Sequence, residues 1–278
     1  IDAVLLPVSH AFHAPLSIDC MKAGKHVLCE KPMAMNVEEC EQMVHVSEDT
    51  GMKFQLACMK RYDPGVQFAQ DFVVNEMGER LSINAWYCDS VFHGQYVKTF
   101  NLPIVGSSEQ KRGGGSGDRD LDIILGHGVH AVDLVRFFAG DISAVTTKKA
   151  DKSQGLALIN LFEFADGACG TLQLVCVVKM DWDEGIKIHG QNGSVDVRVK
   201  FPYFKRPADV KVFDAKTGEY RSPVGPDSDP YERQLEAFAN SILEDKDVMP
   251  SALDGLADQK VLMAIYESLQ TGKRVDIG

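Results

Sequence analysis

Short apolar runs alternate with amphipathic stretches through the first 60 residues. An unbroken apolar run from Ala3 to Leu6 sits inside IDAVLLPV, a second covers His26 to Cys29, and a third lies in KFQLACM at 53–59. Between the first two, Leu16, Cys20, Met21 and Ala23 recur at helical spacing and Gly24 supplies the stop. Between the second and third, NVEECEQMVHVSEDTG opens on the N-cap candidate Asn36 and closes on Gly51. Strands apolar on both faces, linked by helices through short connections, predict β-α-β-α-β and a parallel doubly wound sheet.

The pattern changes after about residue 60. PGVQFAQDFVVNEMG predicts a helix ending at Gly78, and LSINAWYCDSV a long strand. Residues 92–118 form an excursion with SSEQKRGGGSGD as its tip, placed to cap a pocket. A helix follows, roughly from Leu121 to Phe138, stopping at Gly140. Long strands come next, with Asp166-Gly167 and Asn192-Gly193 as hairpin signals. Val195, Val197 and Val199 alternate with Ser194, Asp196 and Arg198, so one face of that strand is apolar and the other wet. Two amphipathic helices finish the chain, with stripes Tyr231, Leu235, Phe238, Ile242 and Leu253, Ala257, Leu262, Ile265, Leu269. The expected fold class is α/β. Residues 1–60 are the C-terminal part of a Rossmann domain, and residues 61–278 an α+β domain with a large, mostly antiparallel open sheet. A three-strand parallel fragment leaves a long edge and uncovered apolar faces, so roughly 60–90 residues before Ile1, or another chain, are expected to complete it.

Charge narrows the partners. The formal net charge is −11, which disfavours a phosphate backbone, so no nucleic-acid partner is expected. No apolar run approaches the roughly 20 residues of a membrane helix, so no membrane partner is expected. The seven cysteines contain no C-x-x-C pair and several sit in apolar runs, the usage of reduced, buried thiols in a cytoplasmic protein.

Four stretches carry candidate chemistry. Glu30-Lys31-Pro32 ends the second strand, on the side where open parallel sheets bind ligands. A desolvated lysine there can exchange protons near neutral pH, Glu30 can hold it or bind a ribose hydroxyl, and Pro32 fixes the backbone. The bland alternative is a surface Lys-Pro turn. In GHGVHAVDLVRFFAG, His127, His130 and Asp133 fall at i, i+3 and i+6, with Asp122 two turns before His130. Such a set ligates a metal, orients a substrate hydroxyl or takes its proton, or else packs as satisfied core histidines. Arg61, in KRYDP after the third strand, suits a phosphate or a nicotinamide amide, or is a solvated linker charge. Ser9, His10 and His13, in PVSHAFH, lie between the first strand and its helix, again at the ligand end. No G-x-G-x-x-G occurs in the 278 residues; GGGSG at 113–117 follows no strand.

DAVLLPVSHAFH, AGKHVLCEKPMAMN, GHGVHAVDLVRFFAG, GSVDV and YERQLEAFANSILED, in this order, resemble the glucose–fructose oxidoreductase, inositol dehydrogenase and rhizopine-catabolism (Gfo/Idh/MocA) family. The resemblance implies a dehydrogenase using NAD or NADP on a sugar, cyclic polyol or glycoside secondary alcohol, and a homodimer or homotetramer assembled through the C-terminal sheet. It implies that Lys31 and His130 meet the reacting carbon, with His127 and Asp122 on the substrate side. Glu30 and Pro32 lie beside the nicotinamide ribose, Arg61 near the cofactor, and Ser9, His10 and His13 in the loop lining the nicotinamide side; no metal is implied. One position departs: the family often carries Asp four residues before the histidine, and Gly126 stands there. That departure keeps a rival in view, a dehydrogenase-like fold that binds without catalysis. A metal-dependent lyase built on His127 and His130 is a second rival.

Overall fold

The computed structural model describes residues 1–92, 115–152, 155–225 and 227–278. Strands β1 (Ala3–Leu6), β2 (His26–Cys29) and β3 (Phe54–Leu56) form a parallel sheet in that order. Helices α1 (His13–Lys22) and α2 (Val37–Thr50) link them. Asn36 caps α2 by accepting the Glu39 amide at 2.8 Å, and Gly51 ends it in the left-handed region. Both helix ends are therefore where side-chain and backbone chemistry placed them. The core of this part closes on Met21, Leu28, Met43 and Phe54, each at most 1% exposed. Truncating any of them to alanine costs about 2–5 kcal/mol.

The second sheet has nine strands: β4 (Arg80–Ser90), β5 (Ile142–Lys152), β6 (Gly155–Phe164), β7 (Cys169–Val178), β8 (Asp183–Gly190), β9 (Gly193–Val199), β10 (Asp209–Asp214), β11 (Glu219–Arg221) and β12 (Val275–Asp276). Their spatial order is β11-β10-β9-β8-β4-β7-β6-β5-β12, and β4 with β7 is the parallel pair in an otherwise antiparallel sheet. Both hairpins form. The β8–β9 turn sits one residue earlier than its sequence signal, because Gly190 pairs with Gly193 and leaves Gln191-Asn192 at the tip. Gly193 has φ +153°, and a Cβ there would lie 2.0 Å from the Phe213 carbonyl oxygen, so only glycine fits.

One face of this sheet is covered by α3 (Pro64–Asn75), by a helix running from α4 (Arg119–Ile123) through a π turn (Ile124–Gly128) into α5 (Val129–Ala139), and by α7 (Ala252–Thr271). Helix α6 (Pro230–Leu243) packs on the turn after β3. At its N-terminal end α7 joins the core of the parallel sheet through Ala252, and further along joins the second core through Val261, Leu262 and Ile265. At 20 residues, about 30 Å, it is long enough to reach both.

Three stripes differ from expectation. Leu16, Leu235 and Leu253 are exposed by 37, 45 and 59%. Met21 and Phe238 are buried as expected, but beside them the buried positions are His13, Ala14 and Ser17 on α1 and Gln234 on α6. Apolar spacing finds a helix but not its rotation when small or polar residues face the neighbour. All seven cysteines are unbridged, and Cys169 is exposed rather than buried. The expected cap at 92–118 falls largely on residues 93–114, outside the described residues.

Candidate active site

The carboxyl ends of β2 and β3 and the start of α5 line a small cavity of about 20 Å³, at the base of a more open cleft. Its lining includes Glu30, Lys31, Cys58, Lys60, His130, Asp133 and Tyr231. Lys31 and His130, 99 positions apart and on different elements, therefore share one space.

Lys31 follows directly from the geometry of β2. Leu28 and Cys29 are fully buried, and the strand ends at Glu30, whose Oε2 accepts the Lys31 amide at 3.2 Å. The Lys31–Pro32 peptide is cis. Pro32 is buried, and its carbonyl oxygen lies 2.7 Å from Nδ1 of His13, whose Nε2 lies 3.0 Å from the Val8 carbonyl oxygen. The fully buried His13 thus ties the loop after β1 to the loop after β2, and does not line the cavity. The Lys31 ammonium donates to the Gly126 carbonyl at 3.4 Å. Burial depresses its pKa, the neighbouring charge of Lys60 adds to the fall, and Glu30 opposes it.

His130 arrives from the first turn of α5 and stacks on Tyr87 of β4, with centroids 5.7 Å apart and planes within 6°. Tyr87 also meets the Trp182 ring edge-on at 5.5 Å and lies under the Lys60 ammonium at 5.3 Å. The imidazole is thus held against a rigid aromatic wall with an edge toward the cavity. Among the described residues, a Cβ at Gly126 would meet nothing within 4 Å.

The remaining sequence candidates separate. His127 lies in the π turn, a wider turn than the α-helix whose spacing put His127, His130 and Asp133 on one face. It faces Tyr87 at 6.0 Å and Asp89 at 4.0 Å, and is not in the cavity lining. Asp122 is exposed on α4 and accepts the Ser116 amide at 2.7 Å. Ser9 begins the short turn before α1, and His10 is partly buried there, its pKa pushed down to about 4 by burial and then by His13 and Lys31; neither lines the cavity. Arg61 is buried outside the cavity lining. Its guanidinium donates to Asp133 at 2.8 Å and to Asp254 at 3.3 Å, and packs on the Phe137 ring. Burial works against that charge, but Asp133, Cys58 and Asp258 together outweigh it and hold the Arg61 pKa above its ordinary value.

The Arg61 pair belongs to a buried network. Asp133, Asp258 and Cys58 offer ligand atoms within 4.8 Å of one another, the one such group among the described residues, and neither His127 nor His130 is in it. Arg61 holds Asp133 and Arg136 holds Asp258 at 2.7 Å, so arginines already supply the cations. Burial, then Asp133, raises the Asp258 carboxyl well above the usual carboxylate range. This arrangement is a structural ion-pair cluster, and it gives the metal-lyase reading no support.

Sequence reading missed Lys60 and Tyr231. Lys60 sits beside the chosen Arg61 in KRYDP, and the short helical turn Met59–Tyr62 sends Lys60 to the cavity and Arg61 to the interior. Tyr231 was counted only as part of a helix stripe; its ring stacks on Tyr203 at 5.9 Å and lines the cavity.

A parallel sheet with a cavity at the carboxyl ends of its strands, walled by the helix that carries His130 and by Tyr231, has the layout in which open α/β sheets bind ligands. Residues 1–58 match the oxidoreductase family described by an NAD-binding Rossmann fold, and residues 119–277 match that family's C-terminal alpha/beta domain. The chain belongs to the Gfo/Idh/MocA oxidoreductase family. It is 24% identical over 280 residues to D-xylose 1-dehydrogenase (NADP(+)) 2 of Haloferax volcanii, covering 100% of this chain and 81% of that protein. It is 23% identical to inositol 2-dehydrogenase 3 of Saccharopolyspora erythraea, covering 100% of this chain and 77% of that protein. Levoglucosan dehydrogenase in complex with NADH and levoglucosan shares the fold, with a TM-score of 0.80, 21% identity, and coverage of 100% of this chain and 80% of that one.

Proposed function

We propose that this chain is an NAD- or NADP-dependent dehydrogenase that moves a hydride between a secondary alcohol of a sugar or cyclic polyol and nicotinamide. The observation that carries the reading is the shared cavity of Lys31 and His130, at the carboxyl edge of the parallel sheet. The relatives named for xylose and inositol support a polyhydroxylated substrate.

The residues present fit the nicotinamide end of such a cofactor. Glu30 offers a carboxylate at the end of β2, where ribose hydroxyls need an acceptor, and Lys31 stands beside it at the cavity wall. When bound, the cofactor supplies a hydride acceptor or donor at a ring carbon. The protein's own part is proton handling and exclusion of water. Burial favours the neutral amine of Lys31, which then takes the proton of a substrate hydroxyl while His130 hydrogen-bonds the same oxygen. In the reverse direction the two groups return the proton. Tyr231 and Val129 close the cavity with apolar surface, which strengthens both contacts.

The test is direct. The full chain, mixed with NADH or NADPH, should change the fluorescence of one of them with a saturable dependence. With NAD+ or NADP+ supplied in place of the reduced form, a panel of aldoses and inositols should then produce reduced cofactor at 340 nm with at least one member. Cofactor binding without turnover on any polyol favours the non-catalytic binder.

The second sheet turns Ile159 and Leu161 outward, exposed by 43 and 49%, on the same face as Gln173 and Trp86. A second copy packed on that face would cover them, giving a homodimer or homotetramer. Leu161→Lys should then convert a sedimenting oligomer to monomer. A monomeric parent protein at micromolar concentration removes this assembly.

A further inference from the structure

Aromatic rings run in an arc from one wall of the cavity to the other. Tyr87, which backs His130, meets Trp182 at 5.5 Å, and Trp182 meets Phe201 at 5.2 Å. Phe201 meets Tyr203 at 5.5 Å, and Tyr203 stacks on Tyr231 at 5.9 Å with an interplanar angle of 10°. Tyr231 lines the cavity, so both ends of the arc are at the site. Burial is graded along it. Tyr87 and Phe201 are each 2% exposed, whereas Tyr203 is 39% exposed. The arc therefore surfaces at Tyr203, one ring away from the cavity.

The exposed ring is fixed in place. Tyr203 sits in a short helical turn, Pro202–Phe204, between β9 and β10. Phe201 supports the turn edge-on to both Tyr203 and Phe204. Lys205 pairs with Asp229 at 3.0 Å, and its carbonyl accepts the Ser228 amide at 3.0 Å. Asp229 also caps α6 by accepting the Tyr231 amide at 3.0 Å. One short set of bonds thus holds Tyr203 and Tyr231 relative to each other.

Size adds the second half of the argument. A cavity of about 20 Å³ has room for the reacting hydroxyl and little else. The rest of a sugar ring has to lie in the cleft that opens from it, along the wall that Tyr231 supplies. A group attached to that sugar then meets the next ring of the arc, Tyr203.

We propose that Tyr203 forms a second subsite beside the reacting centre, stacking a ring attached to the reacting sugar, so that the preferred substrate is a glycoside and not a free monosaccharide. This rests on the dehydrogenase reading for the identity of the first ring alone. The chemistry recognised is a flat, uncharged ring. The C–H face of a pyranose and the face of an aromatic aglycone both lie flat on a tyrosine, and a platform held in advance loses little freedom when they do.

The experiment reads binding, with no cofactor or turnover required. Dissociation constants of the full chain are measured by ligand-observed NMR titration for methyl and phenyl glycosides of glucose, galactose and xylose, and for methyl cellobioside. In at least one series the phenyl glycoside should bind about three- to tenfold more tightly than the methyl glycoside. Y203A should bring the two to within about twofold, and Y203F, which keeps the ring, should retain the difference. Phe204 is 49% exposed on the same turn, and F204A should leave the ratio within about twofold of the parent. Tighter binding of methyl cellobioside than of methyl glucoside identifies a sugar as the second ring, and a preference confined to the phenyl glycosides identifies an aromatic aglycone. Equal affinities for methyl, phenyl and cellobioside ligands in every series overturn the proposal. So does a ratio unchanged in Y203A, or one lost equally in F204A and Y203A. If the ratios behave as expected but no polyol or glycoside is oxidised, the subsite stands and the dehydrogenase reading falls. If a free aldose is oxidised while no added ring improves binding, the dehydrogenase reading stands and the subsite falls.

Discussion

In Lys31→Ala, turnover on the productive polyol is expected to fall by about three powers of ten or more, with the melting temperature little changed. The side chain lies at a cavity wall and, among the described residues, its ammonium has one long hydrogen bond, to the Gly126 carbonyl, so removing it leaves no described buried side chain stranded. What is lost is a proton acceptor whose pKa burial lowers from the ordinary lysine value. Lys31→Arg should fail almost as badly, because a guanidinium stays protonated and cannot take the hydroxyl proton. Single-turnover kinetics with saturating cofactor separate this from weak binding. A variant that keeps near-normal turnover removes Lys31 from the reaction.

Arg61→Ala is expected to destabilise the fold by about 3–5 kcal/mol, without the loss appearing first in the chemical step. Arg61 is 5% exposed, and its removal strands Asp133, 2% exposed, beside Asp258 and Cys58 with one cation fewer. The same change cuts the tie between the turn after β3, α5 and the first turn of α7, since Arg61 bridges Asp133 and Asp254. Urea denaturation should show the loss as a lower midpoint at unchanged slope. A change below about 1 kcal/mol would mean that the network relaxes around the gap and does not hold the two sheets together.

How much was legible depended on the kind of signal. The strand–helix–strand order through residue 60 and the two hairpins are local, period and turn chemistry together, and both formed. Lys31 was legible because a strand that ends in Glu-Lys-Pro must aim those residues at the ligand edge of a parallel sheet. His130 was legible as a candidate, but not apart from His127, because a π turn between Ile124 and Gly128 leaves no mark in apolar spacing. Arg61 and Lys60 are adjacent, and a single short helical turn decides which enters the cavity and which enters the interior. Nothing in KRYDP makes that choice; Glu184 and Asp133 make it, from 124 and 72 positions away.

By itself, the sequence determined the classes of element, the parallel-then-antiparallel order, the strand end that carries Lys31, and a chain with the marks of the Gfo/Idh/MocA family. These rest on interactions between residues near one another in the chain: hydrogen-bonded turns, caps and alternation. Tertiary structure alone decided which face of each helix is buried, that Tyr87 backs His130, that Lys60 rather than Arg61 stands at the cavity, and that Asp133 is spent on an arginine. Those outcomes turn on where buried charges find their counter-charges, and a charge in a low-dielectric interior is paired by whatever the fold brings within reach, however distant in sequence.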